Sequence, residues 1–167
     1  MITFIEALKN ELKEEVIGTR KMLALVPTDK LAWKPHARSM KMQDLAIHIA
    51  DLPKWISLGL LTDELDFATT PYNPKDCTTG AELVAYFNEN VEKAMTDFDN
   101  SKEKVLEEMW TLRNGSAIYA KHTKLETIRH AYSQMVHHRA QLGVYLRLLD
   151  IPIPGVYGPS ADDQHGM

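Results

Sequence analysis

Four long stretches of this chain repeat apolar residues every three or four positions, which is the spacing of one face of an α-helix. They run from about residue 4 to 26, 40 to 61, 80 to 112 and 124 to 149. Ser39 is a suitable N-cap for the second stretch, and the other three begin with a Thr three residues before a Glu, as in a capping box: Thr3/Glu6, Thr79/Glu82 and Thr123/Glu126. The pattern predicts an all-α fold, a four-helix bundle formed by one domain over residues 1–167.

The segments between these stretches have loop composition. Residues 27–38 and 62–78 carry Pro, Asp, Thr and Asn, and residues 113–122 fit a turn or a short strand pair. The second helix contains Pro53, which predicts a kink there. Residues 151–167 include three prolines, so we expect an extended tail whose last residues fray.

Composition narrows the classes of partner. The 167 residues have a net charge of -4 and no dense basic stripe, which disfavours nucleic-acid binding. No apolar run approaches the roughly 18 residues of a membrane span, and the first residues lack the pattern of a signal peptide. The lone Cys77 excludes an internal disulfide and is typical of an inert surface thiol. We therefore expect a cytoplasmic, single-domain protein whose cysteine is reduced.

Two histidines lie at the edge of the predicted core on different helices. At about 100° per residue, His48 and His138 each fall about 60° from the centre of the apolar face. Bundle proteins build metal sites from such facing side chains, and imidazole is the commonest ligand of late transition metals. The alternative is that the two histidines are unrelated and that each has its own hydrogen-bond partner.

Two neighbours of His138 bear on this choice. Gln134 lies one turn earlier, where its amide oxygen can coordinate a metal, although less well than imidazole. Arg139 lies about 40° from the centre of the apolar face, so a buried guanidinium there needs a partner. Asp44 and Asp51 are the candidates, unless the side chain extends to solvent instead.

The segment 133–163, SQMVHHRAQLGVYLRLLDIPIPGVYGPSADD, resembles the DinB-like family of bundle proteins. Members of that family carry a His-His-Arg-Gly-Gln-Leu motif on the last helix, which here reads His137 to Leu142 with Ala140 in place of Gly. A branch of the family continues with VYLR and a YGPSAD tail. The second-helix segment MQDLAIHIADLPKWI is similar to the family as well.

The resemblance implies a four-helix bundle, frequent homodimers and a metal site of three histidines that holds zinc or nickel. His48 and His138 match two of these ligands, whereas Gln134 stands where the family has the third. Characterised members include thiol-dependent S-transferases and a thiol-dependent isomerase of small diacids. The implied role of the metal is to activate a low-molecular-weight thiol or a water.

Two functions follow from these observations. The first is a metal-dependent transferase or hydrolase, with His48, His138 and Gln134 at the metal and a substrate pocket lined by Trp55, Tyr132, Tyr145 and Arg139. The second is a non-catalytic bundle, either a binder of small ligands or a structural dimer, which has lost the metal because Gln134 replaces a histidine.

Overall fold

The computed structural model describes residues 2–163, which form four long helices beside a small three-stranded sheet. The helices are α1 (Phe4–Ala24), α2 (Met42–Leu61), α3 (Gly80–Asn100) and α4 (Lys124–Leu148), and the strands are β1 (Glu64–Asp66), β2 (Met109–Asn114) and β3 (Ala117–Thr123). The fold is therefore mostly helical, as predicted, but it is not all-α.

The helix starts follow local hydrogen bonding. Thr3 and Thr123 each close a complete capping box with the Glu three residues later. Thr79 accepts from the amide of Glu82, while the Glu82 carboxylate turns back to Thr78. Ser39 does not cap α2, which begins at Met42 because backbone carbonyls of the preceding loop accept its first amides. The helix then continues through Pro53.

The predicted third helix, residues 80–112, is wrong beyond Asn100. It ends at Asn100, and residues 109–123 form an antiparallel hairpin. The loop of the hairpin has two residues, and Gly115 is the first of them, with a φ of +58°. Glycine is the usual residue at this position of a type II′ turn. Trp110 and Leu112 alternate with polar residues, so in a strand both side chains point to the same face of the sheet. The Trp110 indole is buried on that face. In a helix the two side chains would point in different directions.

The four helices pack so that α2 lies between α3 and α4, and α1 closes the bundle against the same two helices. The sheet order is β1-β2-β3, with β1 parallel to β2, and the hairpin packs on α4. Cys77 is fully buried in the core, not at the surface as expected. None of the helices within residues 2–163 is long and apolar enough to cross a bilayer.

The tail is free of helix, as predicted, but it folds back on the bundle. Gly18 of α1 leaves room for Val156, because a Cβ at position 18 would lie 2.7 Å from the valine side chain. Asp162 accepts from the amide of Ile153 and pairs with Arg147 of α4. These contacts hold the described part of the tail, residues 151–163, between α1 and α4. The last four positions of the predicted tail lie outside the described residues.

Candidate functional site

His48 of α2 and His138 of α4 lie against each other across the interface of the two helices. Their ring centroids are 4.7 Å apart and the ring planes meet at 80°. Both side chains are half-buried. The structure thus brings together the two histidines that helical periodicity placed at the edge of the core.

The surroundings favour the neutral form of both rings. Burial lowers the pKa of His48 below its ordinary value of 6.5, and the neighbouring His138 lowers it further, while Asp51 acts in the opposite direction. Burial also lowers the pKa of His138, against the effect of its hydrogen bond to Gln141. A neutral imidazole keeps a lone pair, and this is the form that binds a metal ion.

Gln141 orients the His138 ring. Its Oε1 lies 2.8 Å from His138 Nδ1. An amide oxygen only accepts, so Nδ1 donates the proton and Nε2 keeps its lone pair. Metal-binding histidines are commonly fixed by a hydrogen bond from the other ring nitrogen. His138 is therefore held in the tautomer that a metal ligand requires.

His48 lines a cavity of about 290 Å³, whereas His138, which contacts His48, is not among the lining residues. The cavity lies between α2, α4 and the hairpin, and the hairpin supplies two cross-strand pairs of its wall, Trp110 with His122 and Leu112 with Ala120. The remaining lining residues come from the two helices: His48, Leu52, Trp55, Thr127, His130, Ala131 and Gln134. The cavity exists because residues 109–123 fold as strands.

Four polar side chains of this cavity have hydrogen-bonding capacity that the protein does not use. Within residues 2–163, none of the side chains of His48, His122, His130 and Gln134 makes a hydrogen bond to another protein group. Thr127, in contrast, donates to the Thr123 carbonyl. His122 and His130 are exposed and His48 and Gln134 are half-buried, so these groups stay open to water and are available to a ligand that enters the cavity.

Two tryptophans form the aromatic part of the wall. The rings of Trp55 and Trp110 are 6.3 Å apart between centroids and tilted by 59°. The Trp110 indole nitrogen donates to Thr62 Oγ1 at 3.1 Å, which fixes the ring, and the side chain is 2% exposed. Trp55 is half-buried and so presents part of its ring to the cavity.

The two tyrosines predicted to line the pocket lie elsewhere. Tyr132 is fully buried, and its hydroxyl donates to the Leu8 carbonyl of α1. Tyr145 donates to the Met40 carbonyl and packs edge-on against Trp33 at 5.6 Å between centroids. Both hydroxyls therefore have protein partners away from the cavity.

Arg139 also points away from the cavity, and both expectations for its partner are wrong. The guanidinium is 3% exposed and pairs with Glu15 of α1 at 2.6 Å. It also donates to Thr19 Oγ1 at 3.0 Å and to the hydroxyl of Tyr157 in the tail at 2.6 Å. The reason is its place on α4, since residue 139 lies about 100° around the helix from His138 and faces α1.

The sequence analysis allowed a short strand pair over residues 113–122, but it missed the strand that begins at Met109 and the place of His130 in the cavity wall. The Gly at position 115, between two short stretches of alternating character, is the signal that predicts a hairpin there. His130 is exposed and lies on α4 outside its apolar face. It lines the cavity because the hairpin packs beside that flank of the helix.

Whether this site can bind a metal ion depends on which side-chain atoms are available as ligands. Among residues 2–163, no group of three or more His, Cys, Asp and Glu side chains is placed to hold a metal ion. The set here is two neutral imidazoles from different helices, with Gln134 one turn before His138 and in the wall of the same cavity as His48. Two nitrogens and an amide oxygen fit zinc or nickel in kind, but more weakly than three imidazoles.

Comparison with known proteins now identifies the scaffold. The model of the DinB family matches residues 1–166. The chain belongs to the DinB family. The crystal structure of a DinB-like protein from Bacillus cereus has a TM-score of 0.71 at 19% identity, covering 94% of this chain and 100% of that one. The DinB-like protein YjoA of Bacillus subtilis has a TM-score of 0.69 at 16% identity, covering 90% and 96%. No protein with a curated description matches the chain.

Proposed function

We propose that this DinB-family chain is a metal-dependent enzyme that acts on a small molecule bound in the cavity beside His48 and His138. The observation that carries the proposal is the contact of two half-buried imidazoles from different helices, one of which, His48, lines a cavity whose polar side chains are open to a ligand. His48, His138 and Gln134 would hold the ion, with zinc or nickel as the metals that suit nitrogen ligands.

When bound, such a metal supplies Lewis-acid chemistry, because three protein ligands leave a coordination position open. The protein's own groups do the remaining work. Gln141 holds the His138 tautomer through its hydrogen bond to Nδ1. The tryptophan pair and the aliphatic wall exclude water from the organic part of the substrate. This arrangement suits a thiol-dependent transferase or a hydrolase, with a low-molecular-weight thiol or water as the second reactant.

Gln134 sets the expected strength of the metal site. A neutral amide oxygen is a poorer ligand for zinc or nickel than imidazole, so we expect weaker binding than a site of three histidines would give. The same residue favours the alternative function, a metal-free pocket for a small ligand in a cytoplasmic homodimer. In that case the cavity binds its ligand through hydrogen bonds alone.

Elemental analysis by mass spectrometry separates the two functions. We would measure untagged protein purified without chelator, together with His48→Ala, Gln134→His and the control His137→Ala. The control removes an exposed histidine next to His138. We expect about one zinc or nickel per chain in the wild type and in the control, none in His48→Ala, and tighter retention in Gln134→His.

The contrary results are equally specific. Wild-type protein without metal, combined with metal uptake by Gln134→His, would show that the scaffold is intact and that Gln134 has ended its metal chemistry. Metal that survives in His48→Ala would place the ion elsewhere in the chain and overturn the assignment of the site.

A further inference from the structure

We propose that the cavity binds a small aromatic carboxylate, with its ring against the tryptophan pair and its carboxylate hydrogen-bonded to His122 and His130. Such a compound would be the substrate of the proposed function, on which this assignment rests. The inference depends on three properties of the cavity: the charge of its lining, the shape of its apolar wall, and its size.

The polar lining offers donors and no negative charge. Three imidazoles and one primary amide face the cavity, and none of the described lining residues is acidic. His122 is the penultimate residue of β3, His130 lies on α4, and both are exposed, so they lie on the open side of the cavity. The Glu126 carboxylate lies outside the lining; the amide and hydroxyl of Thr123 hold it, and it interacts with His122 by charge. An anionic ligand therefore meets, at the entrance, two imidazoles that make no hydrogen bond to another described protein group.

The apolar wall suits a flat ring. Trp110 is fixed by its hydrogen bond to Thr62, and the Trp55 ring lies beside it at a tilt of 59°. Leu52, Leu112 and Ala131 complete the apolar surface. Aromatic rings pack well against such tilted or edge-on partners, with an attraction beyond that of buried area alone.

The volume limits the ligand to one ring with a short substituent. Pockets for drug-sized molecules have volumes of about 300 to 1,000 Å³, and this cavity of about 290 Å³ lies at the lower limit. A benzoate-sized compound fits this volume. A cationic analogue has no counter-charge in the lining, and a neutral amide gains only neutral hydrogen bonds.

Calorimetric titration with three matched probes tests this assignment. Benzoate, benzamide and benzylamine share the ring and differ in the charge of the substituent. The titrations use the full chain with chelator present, so that a carboxylate cannot gain affinity by binding a metal directly. We expect benzoate to bind about tenfold more tightly than benzamide, and benzylamine not to bind, because a charge-assisted hydrogen bond is about twice as strong as a neutral one.

Variants locate the contact. His122→Ala and His130→Ala should each weaken benzoate binding by about fivefold to tenfold. Lys121→Ala is the matched control, since it removes a true positive charge from the same strand at a position outside the cavity lining. An equal loss in Lys121→Ala would mean that the overall field of the hairpin attracts benzoate, and would overturn the assignment of the two histidines.

Other results would overturn the ligand class. If benzamide binds as tightly as benzoate, the site does not require a carboxylate. If cyclohexanecarboxylate binds as tightly, it does not require an aromatic ring. If benzylamine binds more tightly, the site prefers a cation. The two measurements separate this inference from the metal site, because benzoate binding is titrated with chelator present and metal content is measured without benzoate. Metal binding without benzoate binding would overturn the ligand class alone, and benzoate binding without metal would overturn the metal site alone.

Discussion

Helix α4 carries polar side chains on two flanks, and these differ in whether the side chains have hydrogen-bond partners within the protein. On the flank toward α1 and the tail, Arg139 is buried and has a protein partner on each of its terminal nitrogens. On the flank toward α2 and the hairpin, His130 and Gln134 have no hydrogen-bond partner among the described residues. Paired polar groups hold a structure together, whereas unpaired ones beside a cavity are available to a ligand.

The largest expected effect comes from breaking the paired flank. Arg139→Leu leaves the Glu15 carboxylate, which is 8% exposed, without its ion-pair partner. Removing one member of a buried ion pair costs about 3 to 5 kcal/mol, because the remaining charge stays desolvated. We therefore expect urea denaturation to show a loss of unfolding free energy of that order. The double variant Glu15→Leu/Arg139→Leu should recover much of it, since apolar replacements of a whole buried pair are often neutral.

Two results would contradict this account. A loss below about 1 kcal/mol in Arg139→Leu would mean that water reaches Glu15 and that the pair is not desolvated. A double variant no more stable than the single one would mean that Arg139 acts through packing and not through its charge. Metal content of the folded variants serves as the control, because the paired flank does not reach His48.

The tail contact is the next largest effect. The Tyr157 hydroxyl donates to the Glu15 carboxylate at 2.8 Å and accepts from Arg139 at 2.6 Å, while the residue as a whole is 73% exposed. Tyr157→Phe removes both bonds but leaves the ion pair in place, so we expect a loss of about 1 to 2 kcal/mol in unfolding free energy. Limited proteolysis should also cut residues 151–163 faster. Unchanged cleavage would show that Val156 and Asp162 hold the tail without the hydroxyl.

The same contrast explains how much the sequence could predict. Helix positions and two capping boxes depend on residues within four positions of each other, so a single sequence reveals them. The facing of His48 and His138 follows from helical angles in a bundle. The partner of Arg139 could not be found in this way, because Glu15 lies 124 positions earlier and Tyr157 lies in a tail without a repeating pattern.

The hairpin shows a different limit. Val105 and Met109 fit the apolar spacing of the preceding helix, while Trp110 and Leu112 fit a strand, so periodicity alone was ambiguous over this segment. Gly115 favours the hairpin, because the turn between the strands needs a positive φ, which glycine adopts readily. Because the hairpin supplies Trp110 and His122, an error in secondary structure became an error in the predicted pocket.

Gln134→Ala should change stability far less than any change on the paired flank. The side chain makes no hydrogen bond to a described protein group, and alanine is the better helix former. We expect the unfolding free energy to change by less than about 0.5 kcal/mol, while metal retention falls. Thermal unfolding with chelator present measures the first and elemental analysis the second. A loss above about 1 kcal/mol would show that Gln134 has a structural partner and would remove the contrast between the flanks.

The smallest expected effect is a pH dependence of stability on the cavity flank. The pKa of His48 is below 6.5 in the folded chain because burial disfavours the charged ring. As the pH falls through 6.5 the unfolded chain takes up a proton that the folded chain does not, so the stabilisation present above pH 6.5 decreases toward the lower folded pKa. Urea titrations of metal-free protein at pH 7.5 and 5.5 should therefore show less stability at the lower pH, and His48→Gln should show a smaller difference. The opposite sign would mean that Asp51 outweighs burial, and that the imidazole is charged and unable to bind a metal.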